Sequence, residues 1–503
     1  MQIVWLKRDL RVHDHRPLTE ACRAGGPVLI VYVIEPDLWQ NGDLSERHAR
    51  FIEECLAEMQ TEVRRLGGEL YTACTGMVSL LEQLTADGTP LTLYAHEEHG
   101  TPDTFARDIE VRRWMKERGF AVYEYPSFGV TRGLQDRKQF DEKWQEKMQA
   151  PLLPAPNSIP APPHSLPAAL TRQTTFPKQL ALPGEAIRYG QQGGESLGLE
   201  TLADFLENRF FQYRSHLSNP ISSSTSCSRL SPYLAWGALS FRRAYQESLR
   251  RLAQLPNPAD RRQLEAFISR LHWHCHFIQR LEDEPELSER NMNRAFDAIR
   301  TDWDEEAYTR WKEGRTGIPF IDAAMRSLHK TGWINFRSRA MLVSFVSNTL
   351  LLDWRKPAQF LAQQFLDYEP GIHYSQMQMQ SGTTGFNTIR IYNPIKQGRE
   401  QDPDGRFIRR HVPELKEFSA DFIHEPWKSP AFFHSQYCGA VVDVMEANRC
   451  AREVLWSVRD SEAGVKEAEQ GLKKHASNTR RKEASAKKQK PAYEQLSLFD
   501  FDE

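Results

Sequence analysis

The sequence predicts an α/β N-terminal domain built on a doubly wound parallel sheet, followed by an all-α C-terminal domain. Three observations carry that expectation. Up to Trp144 short β-branched runs alternate with amphipathic stretches; a proline-crowded passage follows; and beyond it apolar residues recur three and four apart.

The runs QIVWL, PVLIVYVI, GELYTA, LTLYAHE and FAVYEYP read as strands, and SERHARFIEECLAEMQTEVRRLG and PDTFARDIEVRRWMKERG as helices between them. Strands alternating with helices imply βαβ units and hence parallel pairing. No G-x-G-x-x-G follows the first run, so a dinucleotide fingerprint is absent there. In APLLPAPNSIPAPPHSLPAAL the prolines lack backbone N–H groups and cannot fill helix or sheet interiors, so this passage reads as an extended linker. RRQLEAFISRLHWHCHFIQRL, IPFIDAAMRSLHKTG and SRAMLVSFVSNTLLLDW then carry helical spacing. The expected division is an α/β domain over 1–145, a linker over 146–198, a helical domain over 199–460, and a lysine-rich, apolar-poor tail over 461–503, expected to be disordered up to a compact hydrophobic knot.

The 503 residues carry a formal net charge of −2, so any nucleic-acid contact must come from a local basic face. The seven cysteines are scattered without a C-x-x-C pair, which predicts free thiols and no metal site. Charge follows the first short apolar run directly, and no run reaches membrane-spanning length. A cytoplasmic protein with no membrane partner is expected.

Two stretches carry chemistry. In NPISSSTSCSRLSPYLAWGALS, Ser231 is placed as N-cap before Pro232, and the hydroxyls with Arg229 would hold a phosphate or pyrophosphate; a well-capped helix after a polar loop explains the same residues. EPGIHYSQMQMQSGTTG is uncharged after Glu369, which suits a soft-metal site at His373, Met377 and Met379, a buried turn, or a cofactor pocket. In HWHCHF the histidines alternate and so point to different faces of a helix, whereas chelation needs a spacing of three or four.

TSCSRLSPYLAWGALS, GRTGIPFIDAAMRSLHKTGWINFRSRAM, LLLDWRKPAQFLAQQFLDYEPG and RIYNPIKQGREQDPDGRFIRRHVPEL resemble, in this order, the FAD-binding half of the DNA photolyase and cryptochrome family. IVWLKRDLRVHDHRPL resembles that family's antenna domain. The resemblance implies a helical domain that clasps a U-shaped FAD. It assigns Tyr213, Thr225, Ser226, Ser228, Arg229, Leu230 and Ser231 to the flavin phosphates, with Cys227 and Ser228 inserted relative to the family pattern. Arg339 and Asp367 match the pair flanking the isoalloxazine ring, and Phe267, Arg270, Phe336, Arg337, Glu369 and His373 complete the implied cofactor set, His373 at the flavin N5.

Three departures from the family stand out. Met377 occupies the place of the tryptophan nearest the flavin, while Trp354 and Trp311 match the outer members of that electron relay; Tyr374 and Trp333 are the substitutes at hand. In FISRLHW, Arg270 replaces the glutamate of dimer-repairing members between Phe267 and Trp273, and Phe336 replaces an asparagine. Arg270, Trp273 and Phe336 are the implied lesion contacts.

The resemblance therefore implies light-driven repair of pyrimidine photoproducts in DNA by electron transfer from excited reduced FAD, with Trp311, Trp354, Met377, His373 and Arg270 in the catalytic set. The alternative is a cryptochrome-like blue-light photoreceptor without repair; a third reading is a clamp-tethered DNA-binding flavoprotein. A second, antenna chromophore is left unidentified, because Thr104 stands where an acidic folate contact is expected. Gln495, Leu496, Ser497, Leu498 and Phe499 resemble the pentapeptide by which bacterial repair proteins dock on the DNA sliding clamp.

Overall fold

The structure is a computed structural model and describes residues 1–163 and 165–475. Strands β1 (Gln2–Leu6), β2 (Val28–Ile34), β3 (Leu70–Cys74), β4 (Thr92–His96) and β5 (Ala121–Tyr125) fall on the five expected runs. With a sixth, two-residue strand β6 (Leu170–Thr171) the sheet order is β5-β4-β1-β2-β3-β6, and every pair among the first five strands is parallel. β6 is antiparallel to β3 and comes from the end of the proline-rich passage. That passage was expected to carry no strand; its last residues are free of proline and can donate to the ladder.

Strand alternation assigns the two sheet faces. Ile3, Trp5, Leu29, Val31 and Leu93 pack under the helices Met77–Leu84 and Pro102–Glu117. Val4, Leu6, Ile30, Tyr32 and Ile34 face the helix Glu46–Arg65 and a core continuous with the helical half. Each face is buried, which is why the strands read as apolar runs.

Basic side chains following β1 bracket the two halves. Arg8 donates to the Tyr368 carbonyl at 2.8 Å and Arg11 to the Gly237 carbonyl at 3.0 Å. Gly237 has φ +65°, and a Cβ there would come within 2.1 Å of the Arg8 carbonyl oxygen, so this junction admits no side chain.

The helical half holds the long helix Pro258–Asp283, then Pro319–Thr331, Phe336–Ser344, Arg355–Gln364 and Pro370–Ser381 around a second core. The apolar pattern up to Trp354 stops being a helix sooner than its spacing suggests: after Ser344 it widens into a π turn, Phe345–Thr349. There Asn348 donates to the Gln380 carbonyl at 2.9 Å and accepts from Arg300 at 2.8 Å, tying the turn to neighbouring segments. A second difference lies at the C-terminal side. Residues assigned to the tail form the helix Glu462–His475, which buries Gly464, Ala468 and Gly471; such small residues permit close approach despite the charged composition. Gln495–Phe499 lie outside the described residues. Among the described residues no helix is long and apolar enough to cross a membrane.

Candidate functional site

A cavity of about 300 Å³ opens between the long helix and the Phe336–Ser344 and Pro370–Ser381 helices. Helix Pro258–Asp283 begins at Asn257, whose side chain accepts from the Ala259 N–H, with Pro258 in the first turn. It turns Phe267, Arg270, Leu271, His274 and Phe277, three and four residues apart, toward the cavity; Trp273 joins them at its edge. Asn335 caps Phe336–Ser344 by accepting from the Ser338 N–H, which fixes Phe336 and Arg339 on the opposite wall.

Of the residues singled out in the sequence, the cavity brings together Tyr213, Ser228, Arg229, Ser231, Phe267, Arg270, Trp273, Phe336, Arg339, Asp367, Glu369, His373 and Met377. Others stand elsewhere. Thr225 is exposed and its hydroxyl donates to the Ser222 carbonyl; Ser226 is hydrogen-bonded to His216 Nδ1 at 2.7 Å; Leu230 is in the core; and Arg337 donates to Gln397 at 3.0 Å. Ser231 is not the N-cap: its helix, Ser231–Ala235, starts one residue earlier, with Leu230 at the cap position. Its hydroxyl is instead directed to Asp367.

The charges of the site are set by burial. Arg339 grips Asp367 through both guanidinium nitrogens, at 3.0 and 2.8 Å. Burial pushes the Asp367 carboxyl up, but Arg339 and Ser231 outweigh it and hold it below the usual range, so it is ionised. Arg229 is different. Its guanidinium lies over the Trp333 ring at 3.9 Å and donates to Gln191 at 3.1 Å, and among the described residues no carboxylate pairs with it. Burial pulls it down to about 10 against the attraction of the nearby Asp367 carboxylate, and its backbone takes a left-handed φ of 60°. Arg270 is likewise lowered by burial and donates to the Tyr213 hydroxyl.

His373 Nε2 lies 2.9 Å from the Ala358 carbonyl, which can only accept, so Nε2 carries the proton and Nδ1 is the acceptor. Burial pulls this imidazole down to about 4, so it is neutral near pH 7. Glu369 is pushed up by burial to about 7, with Arg8 the nearest cation at 3.8 Å.

Met377 sits on the cavity wall. Trp354 and Trp311 belong to the core behind it; Trp354 donates to Asn291 at 2.7 Å and its ring lies 6.4 Å from that of Tyr374. Of the triplet histidines, His272 pairs with Asp141 at 3.0 Å, the half-buried His274 packs on Phe241, and His276 is buried against Phe140.

A second recess, about 80 Å³, lies at the carboxyl ends of the strands and includes Thr104. Arg107 fills its charge: it reaches Glu35 at 2.6 Å, Glu98 at 2.5 Å and Asp108 at 2.9 Å, and covers the Trp5 ring at 4.7 Å. Nearby, Asp9, His15 and His96 bring three metal-capable atoms within 4.8 Å. Asp9 Oδ2 lies 2.7 Å from His96 and 3.0 Å from His15, whose Nδ1 accepts from the Leu18 N–H, so hydrogen bonding accounts for this cluster.

No motif or spacing points to Gln191, which lies in the linker, or to Asp43, which comes from the α/β half to accept from Tyr368 and Tyr374.

Residues 2–131 match the family model described as DNA photolyase, and residues 267–457 that described as the FAD binding domain of DNA photolyase. A deoxyribodipyrimidine photo-lyase of Vibrio cholerae is 30% identical over 475 residues, spanning 88% of this chain and 96% of that protein. A bacterial class III photolyase from Agrobacterium tumefaciens superposes with a TM-score of 0.80 at 26% identity, covering 92% of this chain and 98% of that one. A Synechocystis cryptochrome superposes at 0.79 and 24% identity, covering 90% and 99%; it shares the fold.

Proposed function

The chain belongs to the DNA photolyase and cryptochrome family, and from that premise we propose that it repairs pyrimidine photoproducts in DNA in a light-driven, FAD-dependent reaction. The observation that carries the reading is Arg229: a half-buried guanidinium that no carboxylate contacts, its nearby Asp367 being already gripped by Arg339, beside Ser228 on the wall of a largely apolar cavity. An anionic group entering from outside supplies what this cation lacks, and the FAD diphosphate fits it. FAD, when bound and reduced, supplies a light-excitable electron donor.

The chain's own residues do the rest. Arg229 and Ser228 would hold the diphosphate, and the Arg339–Asp367 pair would offer the flavin a fixed dipole. Neutral His373 offers Nδ1 as an acceptor at the ring edge. Arg270, Trp273 and Phe336 receive the extruded pyrimidine pair: Trp273 and Phe336 stack, and the Arg270 guanidinium donates to a base carbonyl. No carboxylic acid stands at Arg270, so a proton needed by the product must come from another group, and Glu369, raised to about 7, is the acid of the cavity.

Those same substitutions favour the second reading, a blue-light photoreceptor without repair. Illumination of the reduced holoprotein with ultraviolet-damaged oligonucleotide, scoring cyclobutane and (6-4) products separately, decides between them. Loss of either product supports repair; loss of neither supports the photoreceptor. As a further partner we propose the DNA sliding clamp, engaged by Gln495–Phe499. Deleting 495–499 is expected to abolish clamp binding; unchanged affinity refutes it.

A further inference from the structure

Behind the cavity wall two tyrosines converge on one carboxylate from the other half of the molecule. Asp43 lies in the turn after the short helix Pro36–Gln40, where Gly42 takes φ +105°. The turn is pinned to helix Arg355–Gln364 by Gln359, which donates to the Asn41 carbonyl at 3.1 Å, and Gln363, which donates to that of Gly42 at 2.6 Å. Tyr368 donates to Asp43 Oδ2 at 2.5 Å, and the Tyr374 hydroxyl lies 2.9 Å from both carboxylate oxygens. All three side chains are buried. Both phenol O–H groups are placed to donate to the carboxyl group, which in its ionised form accepts from the two together.

Burial raises Asp43 above the ordinary carboxylate and, with the adjacent negative charge, raises both phenols well above theirs. The group is thus a carboxylate of increased basicity facing two neutral phenols. A phenol that loses an electron becomes a strong acid, so a base already hydrogen-bonded to it takes the proton in the same event.

The surrounding rings complete a path. Tyr368 lines the cavity, and its ring and that of Tyr374 lie 5.3 and 5.2 Å from His373. Tyr374 is 6.4 Å from Trp354. Trp354 shares its core with Trp311, which stacks on Tyr308 at 6.0 Å, and Tyr308 meets the exposed Trp303 at 4.9 Å. Met377 lies on the cavity wall, but a thioether is hard to oxidise.

We propose that Asp43, Tyr368 and Tyr374 form a proton-coupled redox relay that passes electrons from Trp354 to light-excited oxidised flavin in the cavity, bypassing Met377. The relay rests on the assignment of FAD to that cavity. Tyr368 gives one electron to the excited flavin and its phenolic proton to Asp43, leaving a neutral tyrosyl radical and a carboxylic acid. Tyr374 reduces that radical by one electron; Asp43 returns the proton to Tyr368 and takes the proton of Tyr374. Trp354 and the Tyr374 radical then exchange one electron reversibly, Asp43 carrying the proton, so that the hole is held largely as the neutral Tyr374 radical until it is refilled. A soluble thiol refills it by one electron through Trp311, Tyr308 and Trp303.

The test illuminates the purified holoprotein with its flavin oxidised, in the presence of a thiol, and follows flavin bleaching together with freeze-trapped electron paramagnetic resonance. Wild type is expected to bleach, to bleach more slowly in D2O, and to show a neutral tyrosyl radical. Y374F and D43N are expected to bleach at least about tenfold more slowly, a barrier increase of about 1.4 kcal/mol. A wild-type protein that bleaches with no tyrosyl radical and no solvent isotope effect overturns the relay even where a variant fails to fold. A protein that takes up no flavin overturns the cavity assignment instead, so the two failures are distinguishable.

Discussion

The recess of the α/β half and the cavity of the helical half each contain a half-buried arginine, and they differ in what faces it. Arg107 meets three carboxylates, those of Glu35, Glu98 and Asp108, within 2.9 Å. Arg229 meets none among the described residues. A guanidinium neutralised by carboxylates in contact closes a recess, whereas one whose nearby carboxylate, Asp367, is already held by Arg339 has room for an anion from outside. The volumes agree: about 80 Å³ remains around the first and about 300 Å³ beside the second. The family's antenna region is thus self-satisfied in this chain, and its flavin region is not.

The largest expected effect would break that comparison from the closed side. R107A removes the cation shared by the buried Glu35 and Asp108 and the half-buried Glu98, with Lys7 still 3.0 Å from Asp108, and is expected to destabilise the protein by about 3 kcal/mol, measured by denaturant unfolding. The complementary R229A variant relieves a half-buried charge in the unliganded protein, so its fold should persist. Its FAD affinity is expected to fall by about 10- to 100-fold, the worth of a charged hydrogen-bonding partner, by flavin-fluorescence titration.

Glu369 sharpens the electrostatics of the open cavity. Below about pH 4.5 the folded and unfolded forms both carry its proton; between there and about 7 only the folded form does. Stability from this group therefore falls as pH rises through that window, by up to about 3 kcal/mol, and stays reduced above it. Thermal unfolding of E369Q against wild type is expected to show the variant gaining on wild type from pH 5 to about pH 8. A constant difference between the two proteins would contradict the raised carboxyl. The smallest effect belongs to Thr104, whose hydroxyl donates to the Thr101 carbonyl at 2.9 Å; T104A should change stability by no more than about 1 kcal/mol and leave flavin content unchanged.

Most of this architecture was legible in the sequence because it depends on periodicity. All five strand runs, and the helices at Glu46–Arg65, Pro102–Glu117 and Pro258–Asp283, follow from apolar spacing alone. Ser231 illustrates what spacing misses. A serine before proline is a good N-cap by local rules, yet a tertiary partner, Asp367, takes its hydroxyl. Asp43 was invisible for a related reason: a lone aspartate after glycine reads as an ordinary turn residue, and only the packing of that turn on Arg355–Gln364 delivers it to Tyr368 and Tyr374. The helix Glu462–His475 escaped because its contacts use glycine and alanine, which leave little apolar signal.

The most direct measurement is the flavin released on denaturing the reconstituted, desalted protein, quantified per chain. The account predicts one FAD per chain for wild type, and a much smaller retained fraction for R229A. A protein that retains no flavin, or one that retains two per chain with R229A losing neither, would contradict it.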